Sequence, residues 1–207
     1  MPASARTKRS SPEQLREEIL AAAIHFFADQ GYAGTSVKQI AESVGISKQL
    51  LLYHFSSKEE LRAEVVGSLA RQWKDFLPKL ITAVSGDGDP LQAAIESWVE
   101  LFTANPDIPR YILRDLITPD SDLPAQLLEL VGPGMLVTAD ALRHLQGDGA
   151  LAKDAKPEAM ISVVGLTLLS VFAVSGADRN KEAHKQFNEG MLEEALRMIR
   201  LALRSGR

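Results

Sequence analysis

Between residues 35 and 58 the chain gathers hydroxyl, amide and ammonium groups at close spacing. Thr35, Ser36 and Lys38 come first, then Ser47, Lys48 and Gln49, and last Tyr53, His54 and Lys58. Most of these are hydrogen-bond donors, and donors at this density suit phosphate oxygens. Gln49 has the side-chain amide that pairs with the edge of adenine, and Lys48 reaches phosphate or guanine. Leu50 or Leu52, if left outside a core, can pack on a thymine methyl group. Tyr53 and His54 carry polar tips suited to a nucleic-acid backbone. Before them, Arg6, Lys8 and Arg9 precede any acidic residue, and such an arm can follow a minor groove.

Such side chains work only if short helices hold them. A first helix is expected to start at Ser11, with Pro12 in its first turn and Gln14 completing a capping box. Leu15, Ile19, Ala22, Ala23, Phe26 and Phe27 make its apolar face, and Gly31 supplies its stop. A second helix follows Thr35 or Ser36 and turns Val37, Ile40, Ala41 and Val44 inward. Gly45 breaks it, Ser47 caps a third, and Ser56 or Ser57 caps a fourth that runs from Lys58 into the high seventies, where Pro78 should kink or end it. Leu50, Leu51 and Leu52 point three ways, so one core cannot take them all. Ala41 suits a close helix crossing, Gly45 a positive φ at the turn, and Leu51 an anchor beneath the third helix. With Phe55 four residues on, Leu51 faces the core, and Lys48, Gln49, Leu52 and Tyr53 lie opposite.

These residues carry a resemblance. The run Thr35-Ser36-Val37-Lys38-Gln39-Ile40-Ala41, then Ser47-Lys48, Tyr53-His54-Phe55 and Ser57-Lys58-Glu59-Glu60-Leu61, resembles the N-terminal domain of TetR-family transcriptional regulators. The resemblance covers about the first 65 residues. It implies an all-helical homodimer that binds a palindromic operator on double-stranded DNA, usually a repressor released by a small molecule. The chain departs from the family pattern at Leu52, often aromatic, and at Gln49, often glycine.

The rest of the chain is also helical by spacing, which makes the fold class all-α. Loops are expected at 86–90 and 147–149, a stop at Asn105-Pro106, and helices near 109–117, 124–145, 157–174 and 181–203. Gly132-Pro133-Gly134 should disturb the second of these. The expected organisation is a basic arm at 1–10, a helix-turn-helix DNA-binding domain at 11–57, and a ligand-binding and dimerisation domain at 58–207. The helix from residue 58 links the last two.

Trp73, Phe76, Trp98, Phe102, Tyr111, Met135 and Phe172 are the candidate lining of an effector pocket, which favours a mainly apolar or aromatic ligand. Residues 160–174 are apolar on nearly all sides, so a partner subunit is expected to cover what the chain's own core does not. Val164, Leu168 and Val171, with Met191, Ala195, Met198 and Ala202 on the final helix, are the candidate dimer contacts, arranged as an isologous four-helix interface.

Composition narrows the alternatives. The chain has 207 residues, 45% of them apolar, a net charge of −4 and no cysteine. Disulfides and thiolate metal sites are excluded. Met1 to Pro12 is polar and basic with no signal core behind it, which reads as cytoplasmic. The apolar run from Ala159 to Ser175 falls short of the ~20 residues a membrane span needs, so no membrane partner is expected. Asp140, His144 and Asp148 make at best a weak metal site, and no hydrolase, P-loop or dinucleotide motif is present. No enzyme activity, cofactor or metal is expected. The other reading is an architectural or effector-independent DNA-binding protein, which would have little use for a large apolar C-terminal half.

Overall fold

The computed structural model describes residues 11–84, 90–119, 121–147, 151–175, 190–199 and 201. Among these every regular element is a helix. Eight have defined ends: α1 (Pro12–Gly34), α2 (Val37–Val44), α3 (Lys48–His54), α4 (Lys58–Val84), α5 (Pro90–Ala104), α6 (Asp107–Leu116), α7 (Leu123–Gly147) and α8 (Pro157–Ser175). Residues 190–199 and 201 are helical as well. The basic arm, Ala202, residues 86–89 of the expected loop, Asp148 and residues 181–189 of the expected final helix lie outside the described residues.

The chain forms two compact units that divide between Gly67 and Ser68. The first unit includes the opening turns of α4, because Leu61 and Val65 are fully buried. Its first helix opens as the sequence indicates. The Ser11 hydroxyl accepts from the Gln14 N–H at 3.2 Å, and the Gln14 carbonyl oxygen accepts from the Ser11 N–H at 2.9 Å. Gly31 breaks the regular dihedrals with φ 77°, although the helix is traced on to Gly34. The buried stripe is Ile19, Leu20, Ala23, Ile24, Phe27 and Ala28. Leu15, Ala22 and Phe26 are only half-buried, so the core-facing side is rotated toward Leu20 and Ile24.

In the second unit α8 packs against α5, α6 and α7. Ile95, Phe102, Leu151, Leu168, Leu169, Phe172 and Ile199 share one core. Neither α4 nor α7 ends at its proline. Pro78 lies inside α4, and Pro133 lies inside α7. Each proline removes one N–H and frees the carbonyl four residues earlier, on Lys74 or Glu129. Both prolines and both of those residues are exposed, so water can satisfy the freed carbonyls. The flanking Phe76, Leu80 and Ala139 are buried and hold the helices in place. At Gly134, α7 comes so close to α4 that an added Cβ would stand 3.0 Å from Leu77 and 3.1 Å from Trp73. By length and composition α8 does reach what a membrane crossing requires, contrary to the sequence estimate. One third of that stretch is buried against the rest of the second unit, around Leu168, Leu169, Val171 and Phe172.

Candidate nucleic-acid interface and cavity

The second and third helices are joined by a tight turn. Ser36 caps α2, and Gln39 returns to the Ser36 N–H at 2.8 Å, a second capping box. Gly45 ends the helix with φ 77° and ψ 27°, the left-handed region that glycine enters without strain. The Ile46 N–H then donates to the Ala41 carbonyl at 3.0 Å, which closes the turn over a fully buried Ala41. Ser47 caps α3 by accepting from the Leu50 N–H at 3.1 Å. Leu51 and Phe55 have no exposed surface and pin α3 from beneath.

That anchoring decides what α3 presents. Lys48, Gln49 and Leu50 are exposed, and Tyr53 is 83% exposed with its ring edge-on to His54. Leu52 and His54 are half-buried. Lys38 is exposed on α2, 3.6 Å from Glu42. Ser36 and Ser47 are exposed at the starts of their helices, where the sequence placed phosphate contacts. Thr35 is different. It is buried, and its hydroxyl donates to the carbonyls of Gly31, at 2.8 Å, and Phe26, at 3.1 Å. Its expected contact with phosphate is therefore replaced by an internal one, which ties off the end of α1.

Two supporting residues escaped the sequence reading. Arg16 on α1 donates to the His54 carbonyl at 3.1 Å, pairs with Glu64 at 2.9 Å, and lies 4.3 Å over the Phe55 ring. It therefore holds the C-terminal end of α3 to the first and fourth helices. Tyr32 receives Lys58 Nζ over its ring at 4.2 Å and the Arg62 guanidinium at 5.0 Å, and its hydroxyl donates to Glu59 at 3.1 Å. Burial, then the Glu59 carboxylate, raises the Tyr32 pKa. Partial burial lowers that of Lys58, and neighbouring Glu59 works against the shift. Both partners are far apart in sequence, so no local spacing announces them.

In the second unit an aromatic ladder links α4, α5 and α8. Phe76 and Trp98 have ring centres 4.9 Å apart, Trp73 and Trp98 5.4 Å, Trp98 and Phe102 5.4 Å, and Phe102 and Phe172 5.5 Å. Beside it lies a cavity of about 190 Å³ lined by Trp73, Trp98, Phe102, Ile112, Leu130, Leu169 and others. Of the expected lining residues, Trp73, Trp98 and Phe102 border it. Phe76, Tyr111 and Phe172 are instead buried, and Met135 is not among its walls. Leu69, Gln72, Ile108 and the α7 leucines were not singled out, since nothing local separates a wall from ordinary core. A smaller space of about 70 Å³ adjoins Trp98 and Gly165. Asp115 is buried and accepts from the Ser121 hydroxyl, away from the cavity walls.

The expected dimer residues divide by face. Leu168, Val171 and Ala195 are buried within the protomer, and Val164 packs on its core. The first three offer a partner little surface, while Val164 keeps part of its own. Met191 is half-buried and Met198 is exposed. The exposed apolar residues of α8 are Val163, Leu166 and Val174, joined by Met198 and Leu201 on the last helical segment. Among the described residues no group of three potential metal ligands forms, and His144 makes only an exposed pair with Asp140 at 3.7 Å.

The model of bacterial regulatory proteins of the tetR family matches residues 19–65, which span α1 to the start of α4. The transcriptional activator FasR of Mycolicibacterium smegmatis is 24% identical over 183 residues, 75% of this chain and 84% of that protein. The transcriptional repressor KstR2 of the same species is 35% identical over 96 residues, but that match covers 46% of this chain and 43% of KstR2. Among solved structures, the fatty acid degradation regulator FadR from Bacillus halodurans superposes with a TM-score of 0.66 at 16% identity. It covers 91% of this chain and 97% of that one, which extends the shared fold well beyond α4. The chain is thus similar to bacterial regulatory proteins of the tetR family from α1 to the start of α4, and it shares its fold with a solved regulator along most of its length.

Proposed function

We propose that this regulator is a homodimeric repressor that leaves a palindromic operator when a small, mainly apolar ligand occupies the second unit. The observation that carries the DNA side is the seating of α3. Buried Leu51 and Phe55 hold it, while Lys48, Gln49, Leu50 and Tyr53 face out. A seven-residue helix buries little surface on DNA, so specificity needs two half-sites about one helical turn, ~34 Å, apart. The exposed apolar faces of α8 and of residues 190–201 support a symmetric pairing that supplies them. Because α4 contains both Lys58 and the cavity residue Trp73, a ligand at Trp73 acts on the helix that begins at the DNA-binding unit. Release then follows from unequal ligand affinity for the two arrangements.

Selection of bound duplexes from a random pool tests this reading. A palindrome with half-sites about 10 base pairs apart is the expected result. A single asymmetric site would remove the dimer, and enrichment that no ligand disturbs would favour an effector-independent regulator.

Two substitutions test the contacts. Lys58→Ala is expected to weaken binding about equally for all DNA sequences and to reduce the salt slope by roughly one. A change in base preference without a change in slope would end its role as a phosphate contact. Gln49→Ala is expected to relax preference at one position per half-site, at a cost of about 1–3 kcal/mol on the preferred operator. An unchanged selected sequence would remove Gln49 from the base-reading set.

A further inference from the structure

The larger cavity has walls from α4 to α8, and their chemistry is one-sided. Leu69, Trp73, Trp98, Phe102, Leu130 and Leu169 line it, and among the described residues Gln72 is the single amide and no acidic or basic side chain borders it. An ion entering such a space would lose its water and gain no countercharge. Its volume, about 190 Å³, is somewhat larger than the ~150 Å³ apolar cavity that accepts benzene. No polar atom of the walls is exposed to the space, and Trp73 Nε1 is itself buried rather than presented to it.

Gly165 borders both this cavity and the smaller one, and a Cβ placed on it meets no heavy atom within 4 Å. The missing side chain at 165 therefore leaves open space beside Trp98. We propose that this cavity takes an uncharged, hydrocarbon-rich molecule about the size of one substituted ring, and that glycine at 165 keeps room for it. The inference rests on the reading of the second unit as the ligand-sensing part, and it names the class of ligand.

The chain has two tryptophans, Trp73 and Trp98, and both border the cavity. Indole fluorescence therefore reports its occupancy, with Trp73 bordering this cavity and Trp98 both spaces. Ethylbenzene and benzoate, similar in ring and size, are titrated into the full-length chain at neutral pH. Ethylbenzene is expected to shift the emission saturably, with benzoate at least tenfold weaker. The variant Gly165→Leu is expected to lose the ethylbenzene response while still binding the selected operator. Benzoate binding as tightly as ethylbenzene, or no saturable response to either, overturns the inference. An unaltered response in Gly165→Leu removes the role given to residue 165. Operator affinity measured in the same samples separates this inference from release. Saturable ethylbenzene binding that leaves operator affinity unchanged keeps the cavity chemistry and removes hydrocarbon-driven release.

Discussion

Replacing Leu166 with glutamate is expected to convert the proposed dimer to monomers and to lower operator affinity at least 100-fold. Leu166 is 55% exposed on α8, between Val163 at 63% and Val174 at 52%, and no polar residue of comparable reach shares that stripe. A carboxylate there stays hydrated in the monomer, so folding is unaffected. In a symmetric interface the same residue enters twice, and two carboxylates would be stripped of water together. One half-site then has to hold the DNA alone. A 100-fold loss corresponds to about 2.7 kcal/mol, modest beside the contacts a second recognition helix contributes. Sedimentation and a DNA titration on the same sample check it. A Leu166→Glu chain that stays dimeric would show that the pairing uses another face.

Leu51→Ala should give the largest loss of stability in the first unit. Leu51 has no exposed surface, and its side chain fills the space beneath α3. Truncating a buried leucine to alanine costs about 2–5 kcal/mol, depending on how far the site collapses. For a unit of this size each kcal/mol lowers the melting point by roughly 4–8 °C. The operator should lose its grip even below that midpoint, since α3 is freed at its centre. Leu51→Met, close in volume, should cost less than about 1.5 kcal/mol and keep binding. Thermal melts of the two variants decide it. Equal losses for alanine and methionine would mean that Leu51 is not the anchor.

What could be read from sequence follows the range of the force involved. The turn between α2 and α3 was legible because it is set within a few residues. A positive φ demands Gly45, a close crossing demands Ala41, and Leu51 and Phe55 share a face by spacing alone. Both capping residues of α1 were legible for the same reason. The failures lie where a distant surface decides. α8 is apolar all round, so its sequence cannot say which stripe is turned in. Packing against α6 and α7 turned Leu168 and Val171 inward and left Val163, Leu166 and Val174 out. Pro78 and Pro133 carry the strongest local signals for a break, yet exposed carbonyls and buried neighbours on either side override them. The internal bonds of Thr35 were not legible because one partner, Phe26, is nine residues away.

Tyr32 has a consequence for the tempo of DNA encounter. A lysine free in solvent samples many rotamers, and fixing it on a phosphate costs up to about 2 kcal/mol of side-chain entropy. Here Lys58 already rests 4.2 Å over an aromatic ring, so much of that ordering is done when the protein folds. The ring face attracts the cation without neutralising it, as a carboxylate would, and leaves its charge for the next anion. On the proposed phosphate contact of Lys58, position 32 would set the tempo of that contact. A phenylalanine would keep the ring and drop the tether to Glu59, whereas a leucine would let Lys58 wander and slow each productive landing.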